Sequence, residues 1–332
     1  MSLNKTKIIC ATQSLSDLFN LAQSRSDNGK VNIKREKLFL EKINDKDTND
    51  TIIKDILEKI NKHYSFIKCS SKGGMGNSYD FIFDVKDKMN VELKVLSLNV
   101  ELKVLSGNEL PQLGDVYIQT EQFHFINDQY NKFTESWLEE LKNIKSQLSI
   151  KSSLPSLEEL RKNIGKLPGK SSCNFLEELY KTVHITDADK LKKDDARIKK
   201  NKTKYVADCS KRFISNFIDV NIESINTELI KKAYEEKMGI KDLMIIYNKK
   251  TKNTTIYKFD NVKLDITKVT KSVGRNKLFT GLDVHFNISN GTDKGINEKV
   301  TLLLRWKNQS GVFNPCWSMK EIKTIRQLSE KL

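Results

Sequence analysis

The 332-residue chain is 38% hydrophobic and 30% charged, with 14 Gly and 4 Pro, a composition that excludes collagen-like, low-complexity and wholly disordered classes and allows a sizeable core. No apolar run reaches the roughly 18 residues that cross a bilayer, and the N-terminal apolar stretch is too short for a secretory signal, so a cytoplasmic, non-membrane protein is expected. The 58 Lys and Arg against 43 Asp and Glu, net +15, favour a polyanionic partner, with nucleic acid ahead of a membrane surface.

In chain order, residues 12–24 carry Leu15, Leu18, Phe19 and Ala22 at helical spacing behind a Thr12 or Ser14 cap, and a polar connector is expected over 24–30. The stripe Ile52, Ile53, Ile56, Leu57, Ile60 predicts a helix over 50–62, capped by Asn49 or Asp50. The period then changes to that of strands at 64–69, 79–83 and 91–96, with a Gly-rich loop at 70–78. A strand or loop at 115–119 leads to a helical region over 122–148, and the prolines of 151–172 mark a boundary or a helical hairpin. Val206, Cys209, Phe213 and Phe217 place an amphipathic helix in a basic stretch, and a further helix is expected over 227–238. The rest reads as β-rich: a hairpin from 243–247 to 254–259, strands near 278–288 and 299–306, and a helical tail over 319–328. Five scattered cysteines without a C-x-x-C pair argue against a disulfide framework or a zinc ribbon, and the four histidines have no metal-binding spacing.

The chemistry concentrates between residues 78 and 96. Asp80 heads an apolar strand, and Glu92 and Lys94 share one face of the next while Val91, Leu93 and Val95 share the other. A charged pair on an otherwise apolar strand needs a partner. Asp80 with a divalent cation between the carboxylates would provide one, and Mg²⁺ suits such hard oxygen ligands. These residues resemble the PD-(D/E)XK nuclease superfamily, specifically type II restriction endonucleases, with Ser78-Tyr79 where a proline is common.

The resemblance implies an α/β fold: a restriction-endonuclease-like core of helix, mixed β-sheet and helix, with a helical basic segment and a β-rich C-terminal region. It also implies that Asp80 and Glu92 bind Mg²⁺, that Lys94 orients or activates the attacking water, and that double-stranded DNA is hydrolysed by a homodimer. Glu58 is a candidate extra helix carboxylate, beside its plainer reading as a solvated position.

A tandem nine-residue copy complicates the assignment, because residues 90–97 are repeated as 99–106 and offer Glu101 and Lys103 as well. Nine is odd, so on one continuous strand Glu92 and Glu101 face opposite ways and cannot both serve one site. The shorter hairpin from Asp80 favours Glu92 and Lys94, with Glu101 and Lys103 as the alternate pair.

Ten Lys or Arg against three Asp between Lys190 and Arg212, net +7, suit an element that tracks phosphates, with Lys199 and Lys200 central. Lys72 and Asn77 of the Gly-rich loop are expected near the DNA backbone. Arg305, Lys307 and Asn308 stand as candidate base readers at a strand end. The expected divisions are a nuclease core over 1–150, a basic helical segment over 151–240 and a DNA-recognition region over 241–332. The competing readings are a catalytically silent nucleic-acid-binding protein and a scaffold whose charge is compositional.

Overall fold

A computed structural model describes residues 14–20, 28–72, 80–88, 95–106, 112–184, 193–239, 242–258, 263–274, 276–289, 295–307, 311–323 and 330–331. It is a mixed α/β protein with eight α-helices and two sheets among the described residues. No helix among them is long and apolar enough to cross a membrane.

The N-terminal helices are α1 (Leu15–Asn20), α2 (Asn28–Ile43) and α3 (Thr51–His63). Asp50 links two of them. Its Oδ1 accepts from Ile52 N and Ile53 N at 3.1 and 3.4 Å, which caps α3, while Oδ2 accepts from Leu15 N at 2.9 Å at the start of α1. Helix α2 occupies a stretch whose first residues were expected to form a polar connector. Its Arg35 explains the mismatch: this residue is buried, donating to the carbonyls of Leu18 and Phe19 at 3.3 and 3.2 Å. A cation satisfying the last turn of α1 thus occupies a position where an apolar stripe would carry a hydrophobe.

The three helices pack on one face of the first sheet. Strands β1 (Tyr64–Ser71), β2 (Phe81–Asp87) and β3 (Val95–Leu105) form an antiparallel meander, and β5 (Leu243–Asn248) pairs parallel with β3. Strand β6 (Asn253–Lys258) completes the hairpin from β5, with Asn248 Oδ1 accepting from Lys250 N and Thr251 N in the turn, and β11 (Glu330–Lys331) adds the edge. Phe81, Phe83, Val85 and Val100 meet Phe39, Ile53 and Ile56 in this core, so the opposite face of β2 and β3 is left for polar groups.

The second sheet, in the order β4 (Gln112–Tyr117), β10 (Pro315–Lys320), β9 (Ile296–Trp306), β8 (Phe279–Ser289) and β7 (Lys263–Val273), is antiparallel throughout. It shares a larger core with α4 (Gln129–Leu148), α5 (Leu157–Ile164), α6 (Asn174–Val183), α7 (Lys193–Asn221) and α8 (Thr227–Gly239). Met319 lies in β10 rather than in a helical tail. Its strand is buried on both faces, and such a continuous apolar run does not reveal its period. Sheet membership also crosses the chain order: β4 lies early but joins the second sheet, and β5 lies late but joins the first.

Near α6, Glu178 accepts from Ser152 Oγ at 2.5 Å and from Lys151 N and Ser152 N at 2.9 and 2.8 Å. The Ser152 hydroxyl, followed by the two amides, pulls this carboxyl from 4.5 down to about 2. A folded value below the unfolded one means a contribution that is complete above pH 4.5 and fades as the pH falls toward 2. Glu178→Gln is expected to melt below wild type at neutral pH, with the gap closing across that acidic window. A thermal-melt series in which the gap stays constant with pH would contradict this.

Candidate active site

The polar face of the meander carries the chemistry. Register pairs Phe81 with Val100, so one step further Asp80 stands directly across from Glu101 on the same face. Two bonds fix Asp80 there: its N–H donates to Val100 O at 3.0 Å and its Oδ2 accepts from Leu102 N at 2.9 Å. On β3 itself, Glu101 is 4% exposed and its Oε1 forms an ion pair with Lys103 Nζ. The parallel neighbour is locked at the same level, where Asp242 Oδ2 accepts from Asn99 N at 2.6 Å just before Val100 pairs with Leu243.

The two copies differ in parity over the described residues. In the second copy Val100, Leu102 and Val104 face the helices, leaving Glu101 and Lys103 on the polar face. In the first copy the faces are exchanged: Leu96 and Leu98 turn to the core, and Val95, the counterpart of Val104, is 52% exposed. Glu92 and Lys94 lie outside the described residues; the carboxylate and lysine placed beside Asp80 are Glu101 and Lys103.

Lys103 is the electrostatic centre of the cluster. Burial works against its charge, yet Glu101, Asp80 and Glu321 together hold its proton more tightly than that of an ordinary lysine. Glu321 follows β10 and is 1% exposed, so the second sheet contributes a carboxylate to the same lysine. From the helical side comes Glu36 of α2, whose carboxyl is raised by burial and by Asp80 and lowered by Lys103. Glu58, by contrast, lies exposed on α3. Nothing in the apolar periodicity points to Glu36; the pair Phe39 and Ile43 at i, i+4 was the available sign of a helix there.

A second group of charges adjoins the first. Asp115 of β4, its side chain 8% exposed, meets Arg305 Nη2 at 3.1 Å and Lys307 Nζ at 3.3 Å. Lys307 also donates to Tyr117 Oη at 2.9 Å and lies 5.2 Å from the centre of that ring. Lys237 of α8 joins the two groups, since burial lowers its pKa while Glu101, Asp115 and Glu236 raise it. The candidate base readers Arg305 and Lys307 are therefore held by a buried carboxylate, and Asn308 lies outside the described residues.

Lys72 is exposed and its N–H donates to Asp80 O at 3.0 Å; Asn77 and the glycines beside it lie outside the described residues. Lys199 and Lys200 sit on α7, the first half-buried and the second exposed. Among the described residues no three His, Cys, Asp or Glu side chains converge as a closed metal cage. The donors at hand, Asp80 and Glu101, are hard oxygens, the type that holds Mg²⁺ through one or two carboxylates with water and substrate phosphate completing the shell. The models of known protein families give no match to this chain, and neither do the curated proteins.

Proposed function

We propose that the chain is a Mg²⁺-dependent endonuclease with a restriction-endonuclease-like core, acting on double-stranded DNA in the manner of a type II restriction enzyme. The observation that carries this reading is Asp80 across from Glu101, with Lys103 two residues along β3. The antiparallel meander behind α3, with a parallel strand added at β3, supports the same reading.

Asp80 and Glu101 would hold the ion, which when bound would polarise the scissile phosphate as a Lewis acid. Lys103, kept protonated by its carboxylates, donates N–H bonds to the attacking water and to the oxygen on which negative charge develops. It serves as a cation rather than as a base. Glu36, whose proton affinity lies above that of an ordinary glutamate, is the carboxylate suited to accept the proton that the water releases. Cutting both strands calls for two such sites, hence a homodimer.

The test is incubation of purified protein with unmethylated plasmid DNA and Mg²⁺, with EDTA and Lys103→Ala as controls. Discrete fragments lost in both controls support the reading. Salt-dependent binding without cleavage identifies a silent nucleic-acid-binding protein, and neither outcome leaves the scaffold.

The basic stretch gives a separate expectation. If Lys199 and Lys200 each neutralise a phosphate, Lys199→Ala/Lys200→Ala lowers the slope of log affinity against log salt by about 2, roughly 0.9 per contact. Fluorescence anisotropy with a labelled duplex across a salt series measures it. An unchanged slope places the DNA elsewhere.

A further inference from the structure

Beside the acid group lies a second group with the opposite surplus of charge. One cation would neutralise the buried carboxylate of Asp115. Three surround it: Arg305 Nη2 at 3.1 Å, Lys307 Nζ at 3.3 Å, and Lys237, whose Nζ lies 3.8 Å from where a Cβ at Gly114 would stand. Three cations against one carboxylate leave this group a formal +2. We infer that it grips a backbone phosphate of the DNA strand, next to the phosphate held at Asp80 and Glu101, and so positions the strand without reading its bases. The inference rests on the nuclease reading for the identity of the strand and of its neighbouring phosphate.

The group is open to a ligand on its cationic side. The side chain of Asp115 is 8% exposed, whereas those of Arg305 and Lys307 are 37% and 50% exposed, so the acid lies beneath and the cations face solvent. An ammonium has three donors and a guanidinium five. Lys307 directs two of its donors at Asp115 and at Tyr117 Oη, and Arg305 meets Asp115 through Nη2, which leaves donors of both for an incoming acceptor. Lys307 is also held 5.2 Å from the centre of the Tyr117 ring. An ammonium fixed in this way loses little further freedom when an anion arrives.

Position and chemistry together select the ligand. Arginine forks and lysine ammonium groups are the side chains that bind phosphate oxygens. Lys237 links the two groups: burial lowers its pKa although Glu101, Asp115 and Glu236 all raise it, so a further anion beside it is favourable. Of those carboxylates, Glu236 pairs with Lys232 at 3.8 Å and Glu101 belongs to the acid group. An acid group that suits a metal thus adjoins a basic group that suits an anion. A nucleic-acid strand fits both at once, because each nucleotide adds one phosphate, and with one phosphate at the metal its neighbour falls on the cations. Reading a base would require Arg305 to extend its fork to a guanine edge. Its fork is turned to Asp115 instead, which suits the backbone contacts that fix register and carry no sequence information.

Lys307→Gln tests this, since Asp115 keeps its contact with Arg305 in that variant. In the first arm, the full chain and Lys307→Gln are titrated in EDTA with three labelled duplexes of unrelated sequence, and anisotropy is followed across a salt series. The slope of log affinity against log salt is expected to fall by about 0.9, and affinity in 0.15 M salt by about fivefold, equally on all three duplexes. In the second arm, a duplex sparsely ethylated on its phosphates is sorted into bound and unbound fractions. Wild-type protein is expected to reject duplexes ethylated at the phosphate adjoining the cut that Mg²⁺ reveals, and Lys307→Gln to accept them.

Circular dichroism melts establish that Lys307→Gln folds, and the wild-type ethylation pattern needs no variant at all. An unchanged slope overturns the inference, and so does wild-type protein that tolerates ethylation beside the cut. A loss confined to one of the three sequences overturns it as well, because that is the mark of a base reader. The slope and the cleavage assay fail separately. A slope lowered on all three duplexes in a protein that never cuts plasmid would retain the phosphate grip and remove the nuclease reading; cutting with an unchanged slope would do the reverse.

Discussion

Glu101→Gln is expected to lower Mg²⁺-dependent plasmid cleavage by about 10³-fold or more, the equivalent of roughly 4 kcal/mol of transition-state stabilisation, while Glu92→Gln leaves the rate close to wild type. Both residues sit in the same place of an identical eight-residue stretch, so the contrast isolates position from chemistry. The carboxylate that matters is the one in register with Asp80, and the pairing of Phe81 with Val100 assigns that place to Glu101. Retaining the shape but removing the charge keeps the β3 backbone bond from Leu102 N to Asp80 intact, so lost cleavage reports the missing ligand rather than a moved strand. Rates from the same plasmid assay decide it. A Glu92→Gln protein that is inactive beside an active Glu101→Gln protein would return the site to the first copy.

How far the sequence reveals this site follows from which forces act locally. Helix α3 is legible because its stripe Ile52, Ile53, Ile56, Ile60 and the Asp50 cap are both short-range features. The β5–β6 hairpin is legible for the same reason, its turn being made by Asn248. The place of Asp80 at the head of β2 is equally legible, since it directly precedes the apolar residues Phe81, Ile82 and Phe83. The choice between Glu92 and Glu101 is not, because the two copies have the same local chemistry and only pairing with β2 breaks the tie. The exposed Val95 against the packed Val104 is a tertiary consequence with no local sign.

Glu36 is hidden for a different reason. Its helix buries Arg35 to satisfy α1 carbonyls, and that substitutes a hydrogen-bond requirement for an apolar stripe. Glu321 and Lys237 reach the cluster through the second sheet and α8, from parts of the chain that periodicity assigns to other layers.

Because Lys103 is the shared cation of this cluster, Lys103→Met is expected to cost about 3 kcal/mol of stability, the scale of breaking a buried ion pair from one side. At about 2–4 °C per kcal/mol in a chain of this size, the melting temperature falls by roughly 6–12 °C. The loss arises because Glu101 and Glu321, 4% and 1% exposed, are left near Asp80 with their charges uncompensated. Its pH dependence has a definite sign. Lys103 binds its proton more tightly in the folded chain, so in wild type the contribution is complete at neutral pH and is lost only as the pH climbs through the folded value.

In Lys103→Met the lysine that lowers the Glu36 carboxyl is gone, so Glu36, already raised by burial and by Asp80, takes up a proton more readily on acidification and relieves part of the repulsion. The gap to wild type should therefore narrow between about pH 8 and pH 5. Adding Glu321→Gln to Lys103→Met should recover part of it, since one of the buried charges is then gone. Thermal melts by circular dichroism in EDTA at the two pH values measure all three effects. A Lys103→Met protein that melts with wild type at both would mean that the carboxylates do not depend on this lysine, and the electrostatic basis for its role as the cation of the site would go with it.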